Sequence, residues 1–390
     1  MKRLLLCIMV LSVFFCASAA YAAPGDGIII NLPSLTLTFD KGDVHREYPV
    51  AIGKSLSNTP KGSYKVAAKV KDPTWYPPDG GKAVPPGKKN PLGHRWINFY
   101  PGYGIHGNNN AKSIGTLASL GCVRMYNGDV EELFDMVSVG TPVLITYQTA
   151  KEITDGDKKI LEIYADVYGR GVNSQSSIKA KLSGMGITTG EEKFKYVFAG
   201  NKKKTAYYSD GWILTKGDKF LSAGLVKEND ALYISADAVK NIFGIDYLLN
   251  LDTGIMSING EEIDFVDRGG KYIDLDCLLN ILKLGYDIDA GAQRVDIRGS
   301  MIFLNGKFIG KTNYANYDSR EIKLPLKTVA EQFGNKVGWD AATNEVSIDD
   351  KAVPAAVLNG VSYMGIKELA GMFKFDYEID SRYGIIQIKR

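Results

Sequence analysis

Two residues in this sequence have types and surroundings suited to covalent chemistry: Cys122, in Ser119-Leu-Gly121-Cys122-Val-Arg124-Met, and His106, in Ile105-His106-Gly107-Asn108. A cysteine reacts as its thiolate and has an ordinary pKa of about 8.5, so a nucleophilic one needs a base or a cation beside it. His106 is one of three histidines and lies sixteen positions upstream of Cys122. Glycines flank both residues and let the backbone approach a substrate closely. In such a pair the imidazole takes the thiol proton, the thiolate attacks a carbonyl carbon, and the imidazolium returns the proton to a leaving amine. The oxyanion then needs donors, for which the backbone N–H groups around Gly121 and Cys122 are candidates. Arg124, two positions after Cys122, shares its face if this stretch is extended, and suits a substrate carboxylate. The bland alternative is that His106 and Cys122 are separate core residues, and the residues that flank them weigh against it. Two separated cysteines and three histidines show no metal-ligand spacing, so neither a metal nor a cofactor is expected.

Elements that would position this pair are legible on both sides. Gly27–Ile30, Leu35–Phe39, Arg46–Ile52 and Ser63–Val70 read as strands, rich in β-branched and aromatic residues and separated by Asp40-Lys-Gly-Asp43 and Thr59-Pro-Lys-Gly62. A Pro/Gly-rich segment from Asp72 to Gly93 reads as a long loop on the substrate side. After Arg124, Asn127-Gly-Asp129 is suited to cap a helix whose apolar positions are Val130, Leu133, Phe134 and Val137, and Val143–Tyr147 reads as a closing buried strand.

His106-Gly107 followed by Ser119-x-Gly121-Cys122-Val-Arg124 resembles the active-site motif of the L,D-transpeptidases with a YkuD-type catalytic domain, and Thr59-Pro-Lys-Gly62 and Asn90-Pro-Leu-Gly93 resemble further landmarks of that family. The resemblance runs from Gly27 to Tyr147. It implies a β-sandwich that cleaves a peptidoglycan tetrapeptide stem after its third residue, releases D-alanine, and passes the acyl group from Cys122 to the side-chain amine of another stem or to water. Stem peptides would then be both acyl donor and acceptor. It also implies that Gly107 orients the His106 imidazole through its carbonyl, and that Arg124 positions the peptide. Ser119, Asn108 and Gly121 complete the expected substrate contacts. Leu120 stands where many members carry a second histidine, which leaves His106 as the base. His94, in a Gly-rich loop, reads as a surface residue.

The rest of the chain sets this unit in context. Lys2 and Arg3, an apolar run from Leu4 to Phe15 that is too short to span a membrane, and Ala20-Tyr-Ala22 read as a signal peptide over residues 1–22; Phe14 and Phe15 ahead of Cys16 argue against lipid attachment there. A secreted or wall-associated chain with no later membrane span follows. Of four cysteines two fall in that leader, so Cys122 and Cys277 allow one bridge at most. Lys and Arg exceed Asp and Glu by only three, which gives no sign of a nucleic-acid surface. The expected division is a catalytic domain over 23–150, a connecting region over 151–225 with a short helix near Ser177–Leu182, and repeats over 226–390.

Those repeats are four blocks of 26 residues that align without gaps, starting at Tyr233, Tyr272, Lys323 and Tyr363. Each reads as strand, helix, strand, strand, and the offsets of 39, 51 and 40 residues suggest two pairs. Asn-Gly turns at Asn259, Asn305 and Asn359 mark hairpins in the spacers. Leu324-Pro-Leu-Lys, Val329–Gly334 and Val337-Gly-Trp-Asp340 resemble the copper amine oxidase N-terminal-like, or stalk, domain; this implies no copper site, and the stretch holds no histidine. The expected fold class is thus a mainly β YkuD-type sandwich followed by α+β repeats. Contact of the repeats with wall polymer is one reading. Two further functions stay open: an L,D-carboxypeptidase, and a wall-binding protein with weak catalysis.

Overall fold

The computed structural model describes residues 25–54, 58–200, 205–217, 219–316, 321–380 and 384–390. The expected signal peptide, with Cys7 and Cys16, and the Lys202–Lys204 run lie outside the described residues. Strands take 46% and helices 18%, so the chain is mainly β as expected.

The N-terminal unit runs Gly27–Asn31 (β1), Thr36–Lys41 (β2), Val44–Pro49 (β3), Ile52–Gly53 (β4), Gly62–Lys65 (β5), Ala68–Lys71 (β6), Arg95–Tyr100 (β7), Tyr103–His106 (β8), Leu117–Ser119 (β9), Val123–Arg124 (β10), helix Asn127–Met136 (α1) and Pro142–Thr146 (β11). One sheet has the order β3-β2-β1-β11-β5, the other β10-β8-β7-β6, and β4 pairs with β9. Period-two alternation turns Ile28 and Ile30, Leu37 and Phe39, and Val143 and Ile145 inward from the first sheet. Ile97, Phe99, Ile105 and Val123 answer from the second, and α1 adds Val130 and Leu133. Each such side chain contributes roughly 1.5–3 kcal/mol when fully buried.

Two expected strands are each divided. Ser63–Val70 becomes β5 in one sheet and β6 in the other, because the chain changes sheets between them: the Val66 N–H donates to Thr141 O (2.8 Å) and the Ala67 N–H to Asn98 O (2.8 Å). Arg46–Ile52 becomes β3 and β4, divided where Ala51 exchanges hydrogen bonds with Arg124 at 2.9 and 2.8 Å. Helix α1 follows its apolar spacing, but its N-cap is Tyr126 and no side chain caps it. The 72–93 segment carries one bridge, Trp75 to Val84, and is gathered by Asn90, whose amide donates to Pro73 O, Val84 O and Pro85 O while Oδ1 accepts the Leu92 N–H.

After β11 come strands Ala150–Asp155 and Lys158–Ile163 and helices Gln175–Met185 and Glu191–Gly200. The first helix contains the expected Ser177–Leu182 stretch; Ser174 accepts the Ser177 N–H at its start and Gly186, at φ 75°, ends it. The second was not foreseen and buries Phe194 and Val197 against Ile178, Leu182 and Tyr208.

Each of the four C-terminal blocks is a strand, a helix and two strands. First strands pair within two couples, Ile234 opposite Ile273 and Leu324 opposite Met364, and each couple has its own apolar cluster. Asn259, Asn305 and Asn359 adopt φ of 52°, 49° and 51° in two-residue hairpin turns closed by Ile258–Glu261, Leu304–Lys307 and Leu358–Val361. Cys122 and Cys277 are both free thiols.

Candidate active site

Register brings the chemistry-bearing side chains into one row. In the β7-β8-β10 part of the second sheet, Trp96 lies opposite His106 and His106 opposite Arg124, while Ile105 and Val123 form the adjacent pair. Since neighbours along a strand face opposite sides, burying Ile105 and Val123 in the sandwich turns His106 and Arg124 to the other face. Continuing the parallel β8-β10 register back one step sets Cys122 beside Gly104. A backbone hydrogen bond from Gly104 does reach the Cys122 thiol, and the Sγ also donates to Gly102 O at 3.7 Å. Gly104 is required here, since a Cβ would come within 2.6 Å of the Trp96 indole.

His106 is 4% exposed. The Trp96 ring stacks on it with centroids 5.6 Å apart and 24° between planes. Its Nδ1 is 2.5 Å from Gly107 O. A carbonyl only accepts, so Nδ1 is the protonated nitrogen and Nε2 of the neutral ring carries the lone pair. Burial pushes the imidazole pKa down to about 4, opposed by hydrogen bonding of the ring to the Gly107 and Leu92 backbone carbonyls and helped by the Arg124 charge. Burial raises the Cys122 pKa, against the Gly104 hydrogen bond and the Arg124 charge, which lower it. Burial in turn lowers the Arg124 pKa, against the pull of Cys122. Arg124 therefore acts on both His106 and Cys122, and its buried Nε has no hydrogen-bond partner among the described residues.

Ser119 shapes the turn ahead of Cys122. Its Oγ donates to Cys122 O (2.6 Å) and accepts the Gly121 N–H (3.0 Å). The Gly121 N–H is thus committed within the turn, which leaves the Cys122 N–H, for which the described residues supply no acceptor. Gly121 sits at φ 121°, and a Cβ there would meet Tyr103 Cε1 at 2.4 Å.

Asn108, expected among the substrate contacts, is buried, and its groups are spent inside the fold. Its Nδ2 donates to Met125 O (2.7 Å), its Oδ1 accepts the Asn110 N–H (2.7 Å), and its backbone N–H and carbonyl pair with the Asn127 amide, each at 3.1 Å. Asn127, read from sequence as a cap, is this cross-tie instead. His94 is exposed and paired with Glu131 at 2.5 Å, and Leu120 is 67% exposed. Trp96, Tyr103, Gly104 and Asn127 were not anticipated at the site. A glycine two positions before the histidine, at the same face of one strand, is the signal that could have pointed to Gly104.

The YkuD family, L,D-transpeptidase catalytic domain, matches residues 25–145. YqjB of Bacillus subtilis, named among the L,D-transpeptidases, is 39% identical over 132 residues, which are 32% of this chain and 73% of YqjB. This chain belongs to the L,D-transpeptidase family. YkuD of B. subtilis is 38% identical over 30% of this chain and 64% of its own length, and ErfK/SrfK of Escherichia coli is 31% identical over 40% and 56%. Beyond YqjB, then, the chain spans less than two thirds of these L,D-transpeptidases. Among solved structures, an L,D-transpeptidase from Mycobacterium tuberculosis is 19% identical over 32% of this chain and 58% of its own, with a TM-score of 0.28. The catalytic domain of the Enterococcus faecium L,D-transpeptidase is 27% identical over 32% of this chain and all of its own, with a TM-score of 0.27.

Proposed function

We propose that this chain is a peptidoglycan L,D-transpeptidase that forms 3→3 cross-links through a thioester on Cys122. The observation that carries the reading is that Arg124, cross-strand partner of His106 and two positions after Cys122, acts electrostatically on both of them. Nε2 of His106 takes the thiol proton as Sγ attacks the carbonyl of the stem's third residue. The Cys122 N–H supports the oxyanion. Collapse expels D-alanine, whose amine takes the proton from His106, and the side-chain amine of a second stem then attacks the thioester, frees the thiol and completes the new amide. Gly107 holds the imidazole tautomer and Ser119 and Gly121 hold the turn. Arg124 binds a carboxylate of the donor peptide.

The catalytic unit is read as residues 23–150, reached by export through the 1–22 leader, with 151–225 connecting it to the stalk-like units of 226–390. Those units hold it near wall polymer; Trp339, 59% exposed with Nε1 bonded to Asn344 Oδ1, gives them an exposed aromatic ring. Among the described residues no helix is long and apolar enough to cross a membrane.

Chromatography of products from a disaccharide-tetrapeptide tests the reaction. Release of D-alanine with a 3→3 dimer is expected. Tripeptide without dimer would make the protein an L,D-carboxypeptidase, and an unchanged substrate would favour wall binding with weak catalysis.

A further inference from the structure

We propose that Tyr168, beyond the segment that matches the family, is a positioning residue for the chemistry at Cys122; this rests on the enzyme reading above. Past Ile163 the chain folds into a tightly bonded loop. Asp166 Oδ2 accepts the Gly171 N–H at 2.7 Å and Oδ1 accepts the Tyr147 hydroxyl at 2.5 Å, while that hydroxyl oxygen accepts the Tyr168 N–H at 2.8 Å. The Tyr147 and Tyr168 rings stack 5.7 Å apart, and the Arg170 guanidinium lies 4.2 Å from the Tyr147 centroid. So fixed, Val167 and Tyr168 pack against the apolar core of the sandwich.

The Tyr168 hydroxyl donates to Gly53 O at 3.0 Å and accepts the Thr59 N–H at 3.3 Å, while the Gly53 N–H donates to the buried Thr59 Oγ1 at 3.0 Å. From there the path to the nucleophile is short. Gly53 is the register partner of Ser119, the Lys54 N–H donates to Ser119 O at 3.0 Å, and Ser119 Oγ holds the turn through Cys122 O and the Gly121 N–H. A phenol that donates to one backbone group and accepts from another has no equivalent in phenylalanine, so its loss frees β4 against β9 and with it the Cys122 turn. Misplacement of a reacting atom by about 1 Å can cost on the order of a hundredfold in rate.

The test compares full-length wild type with Tyr168→Phe, Tyr147→Phe and the double variant, reading kcat and KM for the tetrapeptide, the melting temperature, and the rate of Cys122 alkylation by iodoacetamide. Tyr168→Phe is expected to lower kcat about tenfold with KM changed less than about twofold, to slow alkylation in parallel, and to lower the melting temperature by no more than a few degrees, so that the protein stays folded in the assay. Tyr147→Phe should give a smaller loss, and the double variant should be no worse than Tyr168→Phe alone, because both act on one path. Wild-type kcat and alkylation in Tyr168→Phe, or losses that multiply in the double variant, would overturn the inference. If wild type itself turns over no peptide, the enzyme reading fails, and the alkylation rate, which needs no substrate, still decides the role of Tyr168.

Discussion

Arg124 touches the two reactive groups with different results: its charge eases ionisation of the Cys122 thiol and disfavours the His106 imidazolium. Burial outweighs it at sulfur and adds to it at the imidazole, so the resting pair is a neutral thiol and a neutral base, and the proton moves as the sulfur attacks. The acid limb of kcat/KM is therefore expected near pH 4, where His106 protonates, well below the 6.5 of an ordinary histidine. A limb near 6.5 would contradict this. The same depression has a stability consequence. Between pH 6.5 and 4 the unfolded chain holds a proton on His106 that the folded chain lacks, so this contribution is present above 6.5 and is lost as pH falls through that window, roughly 3 kcal/mol in all. Urea midpoints of wild type should thus fall more steeply with acid than those of His106→Asn. Gly121→Ala is expected to abolish turnover, with partial recovery when Tyr103→Ala removes the ring it would strike at 2.4 Å. The reactive residues were legible because their neighbours are glycines in a fixed order. Trp96 and Tyr103 were not, because their contacts with His106 and Gly121 cross strands whose register the sequence does not print.

At the scale of elements, Asn127 joins the loops that carry the histidine. A Cβ on either Gly93 or Gly107 would lie 2.1 Å from its Oδ1, and its amide satisfies both backbone groups of Asn108. Asn127→Ala should leave that N–H and carbonyl unpaired, costing about 1–3 kcal/mol in denaturant unfolding, and should lower kcat through the His106-Gly107-Asn108 segment. Wild-type kcat in a destabilised variant would separate this tie from the chemistry. Strand existence was legible from alternation in β1, β2 and β11, and α1 from its apolar spacing. Strand ends were not: at Val66–Ala67 and Ala51 the pattern runs on while the hydrogen-bond partners change, and only three-dimensional partners reveal the break. The helix Glu191–Gly200 escaped notice because its buried face, Phe194 and Val197, is narrow and interleaved with charge.

Across the molecule, the four C-terminal units couple in two pairs whose clusters are separate from that of the sandwich. Their recurrence was legible because the repeat carries its own register: Asn250, Asp289 and Asp340 each accept N–H groups of the hairpin turn that follows. Ile234→Ala, at a fully buried position, should cost about 2–5 kcal/mol within the first pair. Calorimetry is then expected to show one transition lowered and that of the sandwich retained, with cross-linking intact at ambient temperature; a single lowered transition with loss of activity would mean the units fold as one. The central claim, that Cys122 carries the acyl group, is tested most directly by the intact mass of the protein after brief exposure to a disaccharide-tetrapeptide. Wild type should gain the mass of the donor less D-alanine, and Cys122→Ala should gain nothing. The same adduct in both proteins, or in neither while cross-links still form, would contradict it.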